Sequence, residues 1–534
     1  MAQAYDAVVI GGGHNGLTCA CYLSAGGLRV RVQERRDIVG GAAVTEEFHP
    51  GFRNSTASYT VSLLQPKVIR DLRLVQHGLR ILERPFSNFL PLGPGEFIKV
   101  GGGLAATQAE VARFSRRDAE RLPAYYAMID RVADLLRELI LVVPPNVGGG
   151  WTDILRSVSL GKRMRALDTP ARRDLLDLFT KSAGEMLDAW FESAPIKAAF
   201  GFDAVVGNFA SPYTPGSAYV LLHHVFGEVN GKKGIWGHAV GGMGAITQAM
   251  AQEARALGVE ISTGQAVSKV IVRDRRARGV VLADGTEIHA KSVIANVGPK
   301  LLFGQLVDAS ELEPDFRGRI ERMRVGSGTF RMNVALAELP DFSALPGKAA
   351  APHHSSGIIM APSLAFMERA YHQAREHGWS PRPIVEILIP STVDDTLAPA
   401  GQHVASLFCQ HFSPTLPAGR SWDDERTAAA DAILDMVNEY APNFRASVLG
   451  RKFLSPLDLE RDFGLIGGDI FHGALGLDQL FSARPVLGHA DHRMPIERLY
   501  LCGSGAHPGG GVTGAPGHNA AHEILRDWRR GRLK

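Results

Sequence analysis

With 534 residues, 45% of them apolar and 21% charged, the chain has ordinary globular composition and is too long for one compact core, so two domains or one domain with large insertions are expected. Its 58 Lys and Arg residues against 55 Asp and Glu leave a net charge of +3, and scattered arginines do not form the basic stripe a nucleic-acid partner would need. Cys19, Cys21, Cys409 and Cys502 form no C-x-x-C pair and no metal-ligand spacing, which argues against dithiol redox chemistry and for a reducing compartment.

The N-terminal stretch YDAVVIGGGHNGLTCACYLSAGGLRVRVQE carries the clearest signal. Asp6 to Ile10 reads as a buried parallel strand, Gly11 to Gly16 as a turn, Leu17 to Ala25 as a helix rich in small residues, and Arg29 to Gln33 as a second strand closed by Glu34. Gly11, Gly13 and Gly16 supply G-x-G-x-x-G in the strand, turn, helix setting the motif requires. The first permits the tight turn, the second a close approach to a pyrophosphate, and the third close packing of helix on strand. The helix N-terminus favours phosphate, and Glu34 stands where an acid bonds ribose hydroxyls. A 2′-phosphate would meet Glu34 as a like charge, which disfavours NADP, although Arg35 and Arg36 soften that argument. A second glycine pair follows in GGAAVTEEF, Gly40 to Phe48. This resembles the FAD signature of the glutathione-reductase-like superfamily and implies FAD rather than NAD.

Helical periodicity spans about 118–141, 170–200 and 424–440, with breaks at Pro144-Pro145, Pro212 and Pro215. VVPPNVGGGW, Val142 to Trp151, reads as a solvent loop, with a hinge over a substrate entrance as the alternative. Nucleotide-domain character returns with an amphipathic helix at about Ala245 to Leu257 and strands at Glu260 to Thr263, Val267 to Val272, Ala277 to Leu282 and Ser292 to Ala295. This order suits a Rossmann-like core with an inserted antiparallel meander. Candidate strands at Phe330 to Ala337, Ile384 to Ile389 and His403 to His411, with a helix near Ala428 to Tyr440, mark a second region of substrate-domain character. Gly101 to Gly103 and Gly148 to Gly150 read as turns. No second dinucleotide motif is present, so a dedicated nicotinamide reductase is disfavoured.

Near the C-terminus, LYLCGSGAHPGGGVTGAPG places an apolar strand, Leu499 to Cys502, before a glycine-rich turn and a helix. The N-terminal segment, GGMG at Gly241 to Gly244 and this C-terminal stretch resemble the phytoene desaturase-like flavoproteins, relatives of the amine oxidases. ERRDIVGGAAVTEEFHPGF and FHGALGLDQLFSARP strengthen the likeness, which covers essentially the whole chain. The resemblance implies an α/β fold: a Rossmann-like, glutathione-reductase-like FAD-binding domain assembled from 1–70, 230–310 and 490–534, with a discontinuous α+β substrate domain from 71–229 and 311–489. It implies non-covalent FAD and an oxidoreductase that dehydrogenates or desaturates an apolar substrate. The electron acceptor would be quinone or oxygen.

Motif and resemblance together assign FAD contacts to Gly11, Gly12, Gly13, Asn15, Gly16, Glu34, Arg35, Gly40, Gly41, Ala42, Val267, Gly503, Gly505, Gly511 and Val512. His507 and His472 are the candidate catalytic residues, each weighed against a merely hydrogen-bonded loop histidine. His14 reads as a packing or pyrophosphate neighbour, and Asp478 and Arg484 as groups that position a polar substrate group or simply pair with other residues. HADH, ending at His492, lacks a further ligand, so no metal site is expected. Two other readings stand beside the first: an amine-oxidase-like enzyme, for which a substrate-side aromatic pair and a lysine near the flavin are expected and the pair is not placed from the sequence, and a flavin-binding regulatory or interaction protein with little turnover. No apolar run reaches 18 residues and the first strand begins near Tyr5, so a soluble cytoplasmic protein is expected, while eukaryotic relatives are associated with mitochondria. LRELILVVPP, Leu136 to Pro145, is a candidate for peripheral membrane contact, with a buried helix end as the alternative. Self-association is left open.

Overall fold

The computed structural model describes residues 5–417 and 419–533. Its nucleotide-binding half is built on a five-stranded parallel sheet in the order Glu260–Ser262, Val30–Gln33, Ala7–Ile10, Val293–Ala295, Leu499–Leu501. The strand AVVI is apolar throughout because a parallel sheet is covered on both faces. Ala7 and Val9 join a core with Leu17, Met250 and Ile524 from the helices His14–Ala25, Gly244–Ala256 and Ala515–Arg529. Val8 and Ile10 point the other way, into a core with Val270 and Val280 of the meander Val267–Arg273, Arg276–Leu282, Glu287–His289. The two-residue side-chain period of the strand thus sorts one four-residue segment between two cores.

The second half carries a seven-stranded sheet in the order Val448–Leu454, Thr329–Leu336, His403–Phe412, Trp379–Leu388, Gly357–Met360, Asn88–Gly93, Glu96–Val100. Its pairs are antiparallel except that Gly357–Met360 runs parallel to Asn88–Gly93. Along Thr329–Leu336, Phe330, Met332, Val334 and Leu336 enter the main apolar core. The alternate residues Arg331 and Asn333 face the other way, and Asn333 donates to the Ser55 carbonyl at 3.0 Å and accepts from Asn54 at 2.9 Å. That polar face is the seam against the nucleotide-binding half.

A helical layer covers the apolar face. Arg116–Ile140 begins at Ser115, whose hydroxyl accepts from the Asp118 N–H. The periodic stretch 170–200 is three helices, Thr169–Thr180, Ala183–Trp190 and Ala194–Val205, because Ser182 and Glu185 form a capping box and Pro195 starts a new first turn. The glycines after Pro145 give way to a helix, Trp151–Ala166, that periodicity did not reveal. Within LRELILVVPP, Leu136 and Ile140 are buried in the core. No helix among the described residues is long and apolar enough to cross a membrane.

Candidate active site

The phosphate turn is held from several directions. Gly11 has φ +96°, and a Cβ on Gly16 would stand 2.3 Å from the Gly11 carbonyl oxygen, so helix and strand touch backbone to backbone there. Glu34 accepts from the Gly12 N–H at 2.8 Å through one carboxylate oxygen and from the Arg36 N–H at 2.9 Å through the other. Gly40 donates to the Gly12 carbonyl at 2.9 Å, which lays the second glycine pair alongside the turn. Helix His14–Ala25 has no side-chain cap, so its first-turn N–H groups stay available to an anion.

The far end of the chain closes this turn. The His14 imidazole is 3.1 Å from the Gly511 carbonyl, and Asn15 donates to Ser504 Oγ at 3.2 Å. Burial pushes the His14 pKa down to about 4, so the ring donates its N–H as a neutral imidazole. A Cβ on Gly517 would lie 2.2 Å from the Asn15 carbonyl, so the last helix packs directly on the first.

Between the two halves lies a cavity of about 350 Å³. Gln33, Glu34 and Val267 line it at one end, the turn residues Gly11, Gly13 and Asn15 lie along it, and Tyr59, His223 and Trp236 belong to its apolar end. Arg35, Gly41, Ala42, His472, Gly511 and Val512 are also in its wall. Gly12, Gly16 and Gly40 form the packed backbone behind the wall. Gly503 and Gly505 sit further back, where a Cβ would strike the Asn296 carbonyl at 2.5 Å and the Pro299 ring at 2.3 Å. They let the closing strand's turn pass beneath the segment that follows Val293–Ala295.

The two candidate histidines are placed differently. His472 lines the cavity with φ +57°, its Nδ1 has no protein partner, and burial brings its pKa down to about 4. His507 lines a neighbouring apolar cavity, where its Nε2 is 3.2 Å from the Leu139 carbonyl and burial lowers its pKa to about 3. Asp478 pairs with Arg324. Arg484 is fully buried and donates to the carbonyls of Ser504 at 2.7 Å, Phe471 at 2.6 Å and Gln479 at 3.1 Å, which ties the loop around His472 to the glycine turn. In HADH, His489 and His492 bond the Arg493 and Leu501 carbonyls and Asp491 pairs with Arg493, so these groups face the protein.

Residues that no local motif marked build the apolar end. The Tyr59 ring stacks on Phe408 at 4.7 Å and 24°, and the buried Arg331 guanidinium lies over both rings. Tyr59 donates to Glu386 at 2.5 Å, and burial with that neighbouring carboxylate holds the phenol well above its usual pKa. His224 stacks on Trp236 at 5.9 Å, and His223 stands beside it. The one sequence signal was available in YVLLHHV, where two adjacent histidines interrupt an apolar helix.

The cavity wall tests whether a dinucleotide fits. Asn15 Oδ1, both side-chain polar atoms of Gln33, Arg36 Nη1 and His472 Nδ1 are buried without a protein partner, and all belong to cavity-lining residues. Each such atom left dry costs about 1–3 kcal/mol, so their gathering on one wall fits a polar ligand running past the turn. Dinucleotide recognition at one end and an apolar chamber at the other are the halves of a flavoprotein oxidoreductase, and the cofactor is FAD.

The chain belongs to the flavin-containing amine oxidoreductase family, whose model matches residues 16–329. It is 44% identical to pyridine nucleotide-disulfide oxidoreductase domain-containing protein 2 of Rattus norvegicus over 98% of this chain and 94% of the relative. It is 25% identical to the phytoene desaturase (lycopene-forming) of Pseudescherichia vulneris over 95% of this chain and 96% of the relative. Among solved structures, cyclohexylamine oxidase from Brevibacterium oxydans IH-35A superposes with a TM-score of 0.58 at 15% identity, covering 99% of this chain and 100% of that one; this likeness shows the shared fold.

Proposed function

We propose that this FAD-dependent oxidoreductase dehydrogenates an apolar substrate by hydride transfer to the flavin, which quinone or oxygen then reoxidises. The observation that carries the reading is the composition of the chamber beyond the glycine turn. Leu63, Val206, Trp236, Phe408, Ile470 and Phe471 supply its wall, and no lysine lines it among the described residues. A relative named for phytoene desaturation, aligned over nearly the whole chain, supports the same reading.

FAD supplies the hydride acceptor when bound. Gly11, Gly13, Asn15, Glu34 and Val267 would hold its nucleotide end, while Gly41, Ala42, Gly511 and Val512 would border the ring end. The chain's own part is to orient the substrate and exclude water, and the aromatic wall does both. Uptake from a bilayer surface belongs to the same proposal. Helix Trp151–Ala166 turns Trp151, 77% exposed, and Leu155, 65% exposed, outward with Ile154 and Val158 on the same face.

The test is anaerobic mixing of the holoenzyme with a polyene hydrocarbon, a cyclic monoterpene, cyclohexylamine and putrescine, followed by the loss of flavin visible absorbance. Bleaching by the hydrocarbons, reversed by adding a quinone or oxygen, is the expected result. Bleaching by the amines alone would replace this reading with amine oxidation.

A further inference from the structure

His223 sits on helix Ser217–Val225, in the chamber wall, only 2% exposed, and neither ring nitrogen has a hydrogen-bond partner in the protein. Its ring is fixed edge-on by Phe226 at 5.0 Å and Phe471 at 5.6 Å. A side chain held this firmly, with both polar atoms unpaired, is poorly explained as packing, because a leucine would fill the space without burying polar atoms.

Its position is equally specific. Nε2 is 3.8 Å from the point where a Cβ on Gly511 would stand, and Leu63 meets the same glycine. Ser62, which precedes Leu63, also lines the chamber, and its buried Oγ is turned toward Gly227. A wall that carries Leu63, Val206, Phe408 and Phe471 therefore also presents an unpaired imidazole beside the glycine turn.

The charge state narrows what would bind. Burial, with the neighbouring His224 and Arg484 adding to it, keeps the ring neutral, so it presents one N–H donor and one lone-pair acceptor. The positive charge of Arg484 disfavours an ammonium there, and among the described residues Glu34, at the nucleotide end, is the one carboxylate that lines the chamber, while Glu386 stands behind the wall bonded to Tyr59.

We infer that His223 hydrogen-bonds a neutral hydroxyl or carbonyl oxygen on an otherwise apolar substrate, and so sets which carbon of that substrate lies against the flavin. The inference rests on the apolar-substrate reading above and narrows it from hydrocarbons to singly oxygenated ones. Hydrogen-bonding sites discriminate strongly against an analogue that lacks the matching group, because their own polar atoms are then left unpaired.

The test uses FAD-loaded enzyme and three probes of similar shape, cyclohexanol, cyclohexanone and methylcyclohexane, titrated against the visible flavin spectrum. Wild type is expected to bind the alcohol or the ketone at least about tenfold more tightly than the hydrocarbon. His223→Phe should bring both down to the hydrocarbon's level with FAD content unchanged, and His223→Gln, which keeps a donor and an acceptor, should restore part of the preference. Equal binding of all three probes by wild type, or no spectral response to the oxygenated ones, overturns the inference without recourse to any variant. Loss of FAD from a folded His223→Phe protein also overturns it, by assigning the imidazole to the cofactor. Because binding is read without turnover, failure of every apolar compound to reduce the flavin would sink the dehydrogenation reading while leaving a measured oxygen preference in place.

Discussion

Gly16→Ala tests the cofactor cradle where helix and strand meet backbone to backbone. The added methyl would stand 2.3 Å from the Gly11 carbonyl oxygen and about 3 Å from the Asn296 side chain. Reaching even 3.0 Å requires a separation of at least 0.7 Å, and neither side yields easily. The Gly11 N–H is tied to the Gln33 carbonyl at 2.8 Å, while the helix bearing Gly16 is pressed from behind by Gly517 on the Asn15 carbonyl. Overpacking of this kind costs about 1–3 kcal/mol. Because it falls on the turn proposed to hold the nucleotide end of FAD, we expect FAD affinity to weaken by about 5- to 150-fold. Flavin absorbance per protein after purification, and calorimetric titration of the apoprotein with FAD, measure it directly. Gly161→Ala is the control, since a Cβ there has open space inside a helix and should leave FAD binding unchanged and stability equal or up to about 1 kcal/mol higher. A Gly16→Ala protein that binds FAD with wild-type affinity would refute the close-packing argument.

Two further perturbations probe buried charge. His411 is fully buried between Phe209 and Tyr371 with neither nitrogen partnered, and burial lowers its pKa to about 3. The unfolded chain takes up this proton near pH 6.5 and the folded one does not until far lower, so the residue removes about 1.4 kcal/mol of stability per pH unit as pH falls below 6.5. The unfolding free energy of His411→Leu minus that of wild type should therefore grow by about 2 kcal/mol between pH 7 and pH 5, and a difference independent of pH would contradict the assignment. Arg484→Met strips donors from the carbonyls of Ser504, Phe471 and Gln479 and should cost at least about 3 kcal/mol by denaturant midpoint, with Arg484→Lys recovering part; an unchanged midpoint would show that those carbonyls find other partners.

The nucleotide half was legible because its parts are close in sequence. Gly11 to Gly16, Glu34 and Gly40-Gly41 lie within one strand, turn, helix, strand unit, and each residue type answers to a local backbone or charge requirement. The chamber wall had no such signature: Tyr59, His223, Trp236 and Phe408 come from separated segments, joined only once the two sheets meet along Asn54, Ser55 and Asn333. Gly357–Met360 offers too few residues for a period to emerge, Asn88–Gly93 is interrupted by Pro91, and Val448–Leu454 shows no clean alternation of apolar and polar residues. Helix Trp151–Ala166 escaped for another reason, since its exposed apolar face follows three glycines that read as a loop. His507 illustrates the limit of proximity in sequence. It stands within the glycine-rich turn, yet its ring leaves the cavity for the Leu139 carbonyl.

The contacts between Asn15 and Ser504, and between His14 and Gly511, also set a timetable. The phosphate turn and its closing partners lie nearly five hundred residues apart, which at ordinary ribosome speeds separates their synthesis by about 25–100 s. The central strand Ala7–Ile10 lacks its neighbour until Val293–Ala295 is made, and that strand is then itself an edge until Leu499–Leu501 follows, so the emerging chain exposes an unfinished parallel sheet edge throughout. Closure of the flavin cradle accordingly waits for the segment that carries Ser504 and Gly511, and FAD, by favouring the closed fold, should shield the protein from the chaperones and proteases that recognise its open forms.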